Sequence, residues 1–268
     1  MSLEDRKGEG QEGGGHGNRD YPWNEFNAAE YFKFNYVHLR DDDREIVEIV
    51  RDFLARKLRD SPLPAGARGI DVGTGANLYP ALTMLPFCDS ITLYEHSEAN
   101  VKWLRDQTEN DVPSWDEAWS QFWKLLIERE PYNNVPEPRT LFSDPDRVRV
   151  VKGDVLARSA LGLFDIGTMF FVAESITEER AEYLEAMDHF FTMLKPDALF
   201  AMAFMEHSQG YQVGVQKYPA TDIGERDVWS CLSKHASDFS LHRLSAEDRP
   251  LREHYTGMIV AHGRRKKN

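Results

Sequence analysis

A glycine-rich turn follows the first predicted strand of the chain. The stretch from Gly69 to Leu82 reads GIDVGTGANLYPAL. The apolar residues around Asp71 predict a strand, and Gly73, Thr74 and Gly75 predict an abrupt turn before a helix. Glycine lets the backbone approach a ligand closely, and the first N–H groups of the following helix are free to bind it. The stretch therefore indicates a ligand site, for a phosphate, a dinucleotide or another cofactor.

The turn lacks features of the common phosphate-binding loops. Leu78 stands where the dinucleotide fingerprint G-x-G-x-x-G requires its third glycine, and no Gly-Lys-Ser/Thr follows as in a P-loop. Asp71 lies directly before the turn, where its negative charge would repel a phosphate. The turn thus favours a ligand without phosphates, with an NAD-type oxidoreductase on the same general fold kept as an alternative.

Two carboxylates follow later strands of the predicted sheet. Glu95 ends the strand SITLYE, where it could accept two hydrogen bonds from a ribose diol. Asp154, in KGDV, ends a third strand and could accept from an adenine amino group while the Val155 N–H donates to the ring. A solvated carboxylate or a helix cap is the alternative for Asp154. A nucleoside with a cationic group and no phosphate suits this set, and S-adenosylmethionine (SAM) has both properties.

The elements that must position these residues alternate along the chain. Strands are predicted for RGIDV, SITLYE, VRVVKGDV, FDIGTMFFVAES and ALFAMAFME, and helices for LYPALTML, EANVKWLRDQT and EERAEYLEAMDHFFTML. Such alternation is typical of a doubly wound, mainly parallel α/β sheet. FSLHRLSAED and YTGMIVAHGR predict an antiparallel pair, which would complete a mixed sheet.

The chain is expected to form one domain after a short tail. Residues 1–20 are polar and glycine-rich and cannot bury apolar surface, so we expect a disordered tail. Residues 21–268 are expected to form a single domain, with an aromatic-rich N-terminal lid at 21–60. A polar and aromatic helical insert is predicted at 108–147.

Charge and cysteine content narrow the possible partners. The formal net charge of −13 disfavours nucleic acids and anionic membranes. Cys88 and Cys231 lie far apart, and no histidine pair has metal-ligand spacing, so we expect neither a disulfide framework nor a metal site. No apolar run could span a bilayer and the N-terminus is not signal-like, which favours the cytoplasm. We expect a monomer, although no sequence feature fixes the oligomeric state.

The order of these motifs resembles that of the small-molecule methyltransferases typified by the nicotinamide, phenylethanolamine, indolethylamine and thioether N/S-methyltransferases. The segments that carry the resemblance are FNAAEYFKFNY, IDVGTGANLYPAL, LYEHSEANVKWL, KGDV and QVGVQKYPATDIG. It runs from about Asn24 to about Arg264, with a divergent middle at 108–147. The resemblance implies a class I fold, which is a Rossmann-like, doubly wound, mixed seven-stranded sheet. It also implies SAM as the methyl donor and S-adenosylhomocysteine as the product.

The resemblance also implies which residues bind the cofactor. With Asp71 added from the reasoning above, the set is Tyr31, Tyr36, Asp71, Gly73, Gly75, Asn77, Glu95, Asn100, Asp154 and Val155. Tyr31 and Tyr36 would contact the methionine end of SAM, Glu95 would hold the ribose, and Asp154 and Val155 would bind adenine. The glycines and Asn77 would shape the methionine pocket, and Asn100 would contact the cofactor nearby.

Two residues are candidates for the acceptor side of the reaction. Glu174 follows the fourth strand, and in amine-methylating relatives the matching carboxylate contacts the substrate nitrogen, where it could help to remove a proton. A cap for the helix that starts near Thr177 is the alternative. Tyr211 matches a substrate-lining tyrosine of relatives. Their second acidic contact is not evident here, because Phe204 or Met205 stands near that position.

The sequence therefore predicts methyl transfer from SAM to a small-molecule acceptor, with an amine nitrogen favoured. Oxygen, sulfur and carbon acceptors stay open. Besides the oxidoreductase, a SAM-binding protein without catalysis is an alternative, because a sensor could share the same pocket.

Overall fold

The computed structural model describes residues 15–108, 112–246 and 254–267. The α-helices, in chain order, are α1 (Ala28–Asn35), α2 (Asp41–Asp60), α3 (Tyr79–Met84), α4 (Glu98–Gln107), α5 (Ser120–Leu126), α6 (Pro138–Phe142), α7 (Arg180–Thr192) and α8 (Glu225–His235). The strands are β1 (Arg68–Val72), β2 (Ser90–Glu95), β3 (Val148–Lys152), β4 (Phe164–Phe170), β5 (Leu194–Glu206), β6 (Tyr211–Val213), β7 (Gln216–Tyr218), β8 (Ala236–Ser245) and β9 (Gly257–Arg265). None of the helices in these ranges is both long and apolar enough to cross a bilayer.

Seven strands form one mixed sheet in the order β3-β2-β1-β4-β5-β9-β8. The first five are parallel, and β9 runs antiparallel to both β5 and β8. All seven residues of β4 are buried, as expected for a central strand covered on both faces. The sheet confirms the predicted Rossmann-like, doubly wound, seven-stranded fold.

Strand order reverses between β1 and β4, which pair directly in the middle of the sheet. From β1 the chain continues outwards to β2 and β3, and from β4 it continues to β5 on the other side. In open α/β sheets, ligands bind in the crevice beyond the carboxyl ends of the strands at such a reversal. The turn after β1 and the ends of β2, β3 and β4 therefore face one crevice.

Helix α2 belongs to the core layer of the fold. Its apolar residues Ile46, Val50 and Phe53 recur at helical spacing and are buried. The helix packs on α3, α5 and the strands β5 and β9, while α7 and α8 cover the other face of the sheet. Of the lid predicted at 21–60, only the part before α2 is thus placed outside this core layer.

The prediction of disorder to residue 20 is wrong at its C-terminal end. Residues 1–14 lie outside the described residues, but 15–20 are held against the start of α7. The Asn18 N–H donates to Oε2 of Glu182 at 2.7 Å, and Asn18 Nδ2 donates to the Ile176 carbonyl at 3.0 Å. This segment is fixed by polar contacts rather than apolar burial, so its composition gave no sign of order.

The insert at 108–147 contains helices, although residues 109–111 lie outside the described part. Trp115–Trp119 forms a π-helical turn that leads into α5. The Phe122 ring of α5 stacks on Tyr79 at a centroid distance of 5.1 Å. The β6–β7 hairpin and α8 were not predicted. The two strands have only three residues each, too few for a periodic pattern, whereas α8 has a readable helical spacing at Val228, Cys231 and Leu232 that was overlooked.

Candidate active site

A cavity of about 100 Å³ lies at the carboxyl ends of β1 to β4, beneath the N-terminal segment. Of the ten predicted cofactor-binding residues, nine line it: Tyr31, Tyr36, Gly73, Gly75, Asn77, Glu95, Asn100, Asp154 and Val155. The structure therefore brings together residues that are more than 120 positions apart in the sequence.

The glycine turn needs glycine at its first position for two reasons. Gly73 has a φ of +66°, and Gly75 has a φ of +56°. A Cβ atom on Gly73 would lie 2.6 Å from both Cγ atoms of Val172, at the end of β4. The Gly73 N–H donates to the Tyr94 carbonyl at 2.7 Å, which fixes the turn against β2.

Glu95 is a buried carboxylate in the cavity wall. Its Oε2 accepts from the Gly75 N–H and its Oε1 accepts from the Ser97 N–H, each at 2.8 Å. Burial raises the pKa of Glu95, while these two N–H groups and the Asn100 side chain act to lower it. Each carboxylate oxygen keeps further lone-pair capacity, so the group can still accept from a diol.

Two buried amides in the same wall each have one side-chain atom without a hydrogen-bond partner among the described residues. Asn77 Nδ2 and Asn100 Oδ1 make no hydrogen bond to any of the described residues, yet both side chains line the cavity. Buried polar atoms are paired in the large majority of cases. A ligand with both acceptor and donor groups would satisfy them, so the residues present fit a polar nucleoside such as SAM.

Asp154 and Val155 lie side by side at the end of β3. Asp154 Oδ1 accepts from the Leu156 N–H at 2.8 Å, which is a local turn contact. The Asp154 side chain is about one-third exposed, and its Oδ2 lies 3.7 Å from His96 Nδ1. Both Asp154 and Val155 nonetheless line the cavity.

Asp71 is the one predicted cofactor-binding residue that does not line the cavity. Its Oδ1 accepts from Thr168 Oγ1 at 2.6 Å, and its carbonyl accepts from Thr74 Oγ1 at 3.0 Å. Burial raises the pKa of Asp71 to about 7. The carboxyl is therefore only partly ionised at neutral pH, so it repels a phosphate less than the sequence argument assumed, and it supports the turn from behind.

Three tyrosines form an aromatic corner at one end of the cavity. The ring centroid of Tyr31 lies 6.0 Å from that of Tyr36 and 6.1 Å from that of Tyr211. Tyr36 is buried against Trp119 of the insert, at 5.9 Å. Tyr211 reaches the cavity from the β6–β7 hairpin, where it meets Tyr31 of α1 and Tyr36, the residue that follows α1.

A second, smaller chamber adjoins this corner and has a volume of about 20 Å³. It shares Tyr31, Tyr36 and Phe171 with the cofactor cavity. The other described residues that line it are Asn35, Asp43, Met205 and Met258.

Glu174 does not line either cavity in the described part of the chain. It is completely buried, and its Oε1 accepts from the Met205 N–H at 3.0 Å and from Ser175 Oγ at 3.1 Å. Its carbonyl accepts from the Thr221 N–H at 2.7 Å. In this geometry Glu174 ties the end of β4 to β5, and its contact with the acceptor stays a prediction.

Sequence reasoning missed a strap formed by residues 15–24, which crosses the cavity. Tyr21 Oη donates to Glu178 Oε1 at 2.8 Å on the α7 side, and Ser97 Oγ donates to the Trp23 carbonyl at 2.5 Å on the α4 side. Asn18 and Trp23 line the cavity. The predicted disorder of residues 1–20 concealed Asn18, whereas Trp23 belongs to the segment predicted as an aromatic lid.

Phe171 was also missed, although a structural rule could have found it. It directly follows β4 at the switch point, where ligand-binding residues are expected. Its φ of +58° is unusual for a bulky residue, and such strain occurs often at functional sites.

Residues 15–108, 112–246 and 254–267 contain no cluster of three or more His, Cys, Asp or Glu side chains that could hold a metal ion.

The cavity is lined by the buried Glu95 carboxylate at the end of β2, by Asp154 and Val155 beyond β3, and by Asn77 and Asn100, which each have one side-chain atom without a partner among the described residues. This combination of sheet order and site defines the class of SAM-dependent methyltransferases with a Rossmann-like fold. A model of the NNMT/PNMT/TEMT family matches residues 17–266, so the chain belongs to that family. This confirms the resemblance identified from the sequence.

Two solved structures are reported as similar to this chain, and the first of them shows the same fold. The N-methyltransferase NodS from Bradyrhizobium japonicum WM9, in complex with S-adenosylhomocysteine, has a TM-score of 0.50 and 14% identity, covering 85% of this chain and 90% of that one. The 1,6-didemethyltoxoflavin-N1-methyltransferase from Burkholderia thailandensis has a TM-score of 0.47 and 16% identity, covering 89% of this chain and 88% of that one. A search of curated proteins finds no match.

The protein is therefore a SAM-dependent methyltransferase, and SAM with its product S-adenosylhomocysteine is its cofactor pair. Family membership sets aside both the NAD-type oxidoreductase and the SAM-binding protein without catalysis.

Proposed function

We propose that the enzyme methylates a small-molecule acceptor, most directly at an amine nitrogen. The observation that carries the proposal is the wall that Tyr31, Tyr36 and Phe171 share between the cofactor cavity and the smaller chamber. A concave, largely aromatic pocket of this kind is typical of a small-molecule site. Its position puts an acceptor next to the tyrosines proposed to meet the methionine end of the cofactor.

The character of the chamber favours a cationic acceptor over an anionic one. Its described walls are aromatic rings, two methionines, an amide and a carboxylate. Aromatic faces attract organic cations, and thioethers pack well on aromatic ligands. The net charge of −13 would add an attractive field for an approaching amine.

Bound SAM supplies an electrophilic methyl carbon: an amine lone pair forms the N–C bond, the C–S pair stays on sulfur, and the alkylated nitrogen loses one proton to solvent. The chain has to position the two reactants and exclude water, and orientation of this kind can contribute about 7–11 kcal/mol. In our proposal Tyr31 and Tyr36 contact the methionine end, and Glu95 holds the ribose. Asp154 and Val155 bind adenine.

The remaining proposed cofactor contacts involve the glycine turn, Tyr211 and the two buried amides that each have one atom without a hydrogen-bond partner among the described residues. We propose that Asn77 and Asn100 complete their hydrogen bonds on the cofactor, and that Gly73 and Gly75 allow its close approach. Tyr211 would cover the acceptor from the hairpin side.

We also propose the cytoplasm as the compartment, because Cys88 and Cys231 are free thiols buried in the fold.

The test is a methyl-transfer assay with SAM labelled in its methyl group. The purified enzyme is offered matched sets of small amines, thiols, phenols and carboxylates that share one aromatic skeleton, and products are identified by mass spectrometry. Labelled N-methyl products, with S-adenosylhomocysteine formed in equal amount, support the proposal. Transfer only to thiols, phenols or a protein acceptor would overturn it.

A further inference from the structure

The small chamber beside the tyrosine corner cannot hold a whole acceptor molecule. Its volume of about 20 Å³ takes one water-sized group, such as an amino group. The neighbouring cavity is the place of the cofactor. The rest of the acceptor therefore has to lie in another space that reaches the same corner.

An outer groove between α1 and the β6–β7 hairpin provides such a space. Its volume is about 790 Å³, which is within the range usual for sites that bind small molecules. Tyr31 and Tyr211 line both the groove and the cofactor cavity, and Tyr31 and Asn35 line both the groove and the small chamber. The groove thus reaches the corner where we place the methionine end of the cofactor.

Helix α1 forms the first wall of the outer groove. Four of its residues line the groove, and their spacing puts them on one side of the helix: Glu30, Tyr31, Phe34 and Asn35. Phe32, on another side of α1, is buried in the core. The Phe34 side chain is instead 70% exposed, so the helix presents an aromatic ring to the groove and to solvent.

The β6–β7 hairpin forms the second wall. Tyr211 and Tyr218 are paired across its two strands, and their rings stack at a centroid distance of 5.4 Å. At the tip of the hairpin, Gly214 lies against α1, because a Cβ atom there would lie 2.9 Å from Oε2 of Glu30. This contact, together with the Tyr31–Tyr211 contact at the other end, holds the hairpin beside α1.

The lining of the groove favours a flat aromatic occupant without a second charge. Aromatic rings are attracted to one another in stacked and edge-to-face arrangements, beyond the effect of the area they bury. The formally charged side chains among the described lining residues are one carboxylate, Glu30, and one ammonium group, Lys217, which balance. Four aromatic residues line the groove: Tyr31, Phe34, Tyr211 and Tyr218.

We propose that the acceptor is an elongated aromatic amine of two or more rings, whose skeleton lies in the outer groove while its amino group reaches the small chamber. The inference rests on the proposed function above, and it specifies the size and shape of the substrate. The groove takes no part in bond making. It holds the skeleton, and this remote binding energy orients the nitrogen towards the methyl group of the cofactor.

The test compares benzylamine with 4-phenylbenzylamine, which carry the same amino group and differ by one aromatic ring. Binding is measured by calorimetry in the presence of S-adenosylhomocysteine, and methylation is measured with labelled SAM. For the wild type we expect a KM about tenfold or more lower for the longer amine, because the groove buries its second ring. 4-Cyclohexylbenzylamine, which is similarly long but lacks the second aromatic ring, should lie between the two.

Phe34→Ala tests where the skeleton lies, and Trp229→Ala is its matched control. Trp229 is also an exposed aromatic residue, at 57%, but it belongs to α8 and does not line the groove. The readout is the KM of benzylamine divided by that of 4-phenylbenzylamine. Phe34→Ala should reduce this ratio about three- to tenfold, and Trp229→Ala should keep the wild-type ratio. Thermal melts and S-adenosylhomocysteine binding check that both variants fold.

Three outcomes are distinguishable from the expected one. Amine methylation with equal KM values for the two probes, or with benzylamine preferred, overturns this inference alone. A preference for the longer amine that Phe34→Ala leaves unchanged also overturns it, because the skeleton then lies outside the groove. If no amine is methylated, the proposed function fails, and the calorimetric comparison still decides whether the groove binds a two-ring skeleton.

Discussion

The main-chain N–H of Gly75 donates a 2.8 Å hydrogen bond to Oε2 of Glu95. This bond joins the glycine turn after β1 to the carboxylate at the end of β2, two motifs that are separate in the sequence. The turn therefore orients the carboxylate, and the carboxylate in turn fixes the backbone of the turn. Any ligand that binds Glu95 gains from an arrangement that exists before it arrives.

Replacing Glu95 by alanine should weaken SAM binding by about tenfold or more, because a charged acceptor of diol hydrogen bonds is lost. The change also leaves the N–H groups of Gly75 and Ser97 without their acceptor, so the melting temperature should fall. Glu98→Ala is the matched control, since Glu98 starts α4 on the surface, where it pairs with Lys152. Calorimetric titration with SAM measures both. Equal SAM affinity in Glu95→Ala and the wild type would contradict the ribose role.

Gly73→Ala should destabilise the fold by roughly 2–4 kcal/mol, because a left-handed φ costs about 1–2 kcal/mol and a steric clash adds to it. The new Cβ atom would lie 2.6 Å from the Val172 methyl groups. Gly66→Ala separates the two effects, since Gly66 has a φ of +79° and no atom within 4 Å of the added Cβ. Denaturant unfolding should show a smaller loss for Gly66→Ala. A similar loss of stability in both variants would show that the clash with Val172 does not contribute.

The strap over the cavity should control how fast the product leaves. Glu178 accepts from the His16 N–H at 3.0 Å and from Tyr21 Oη at 2.8 Å, and these bonds hold the strap to the segment just before α7. Glu178→Ala removes both, and we expect S-adenosylhomocysteine to dissociate about three- to tenfold faster. Glu185→Ala, at an exposed position of the adjoining helix α7, is the control. Stopped-flow displacement measures the rates, and unchanged dissociation in Glu178→Ala would show that these two bonds do not limit release.

The sequence predicted the sheet and the cofactor wall well because both follow from local patterns. The buried run of β4 and the glycines after β1 are readable without any long-range information. Glu95 and Asn100 could be placed because each lies next to a recognisable strand end or helix start. The parallel order of the strands then brings their ends together.

The errors have one physical cause, which is that long-range polar contacts leave no mark in a local pattern. Asn18 is ordered by a carboxylate and a carbonyl more than 150 positions away. Glu174 has the residue type of a catalytic base, but its direction is set by the Met205 N–H. Asp43 reads as one of three acidic residues that start a helix, and only the packing of α2 brings it to the chamber wall.

Acid should destabilise the protein through His262. The ring stacks on Phe53 with a centroid distance of 4.1 Å, and its Nε2 atom lies 3.1 Å from Nε2 of His242. Burial, and then the charges of His242 and Arg56, lower the pKa of His262 to about 4.

Because the folded pKa lies below the unfolded value of about 6.5, the neutral ring contributes stability that is complete above pH 6.5. That contribution should be lost as the pH falls from 6.5 towards 4, by about 3 kcal/mol in total. Denaturant unfolding of the wild type and of His262→Gln is measured from pH 7.5 to 4. The difference between their free energies of unfolding is free of the contributions that other titrating groups make equally to both proteins. The stability difference between the two proteins should shrink as the pH falls, and a constant difference would contradict the assignment.

Glu174 provides the sharpest separation between a structural and a catalytic carboxylate. Glu174→Gln keeps a carbonyl oxygen that can accept from the Met205 N–H, so we expect wild-type SAM affinity and a turnover number within about twofold of wild type. Glu174→Ala leaves that buried N–H without an acceptor and should cost about 1–3 kcal/mol of stability. Thermal melts and single-turnover rates are measured on both variants. If Glu174→Gln instead folds normally, binds SAM and loses turnover by orders of magnitude, the carboxylate takes part in the transfer step, and its bond to Met205 holds only in the absence of acceptor.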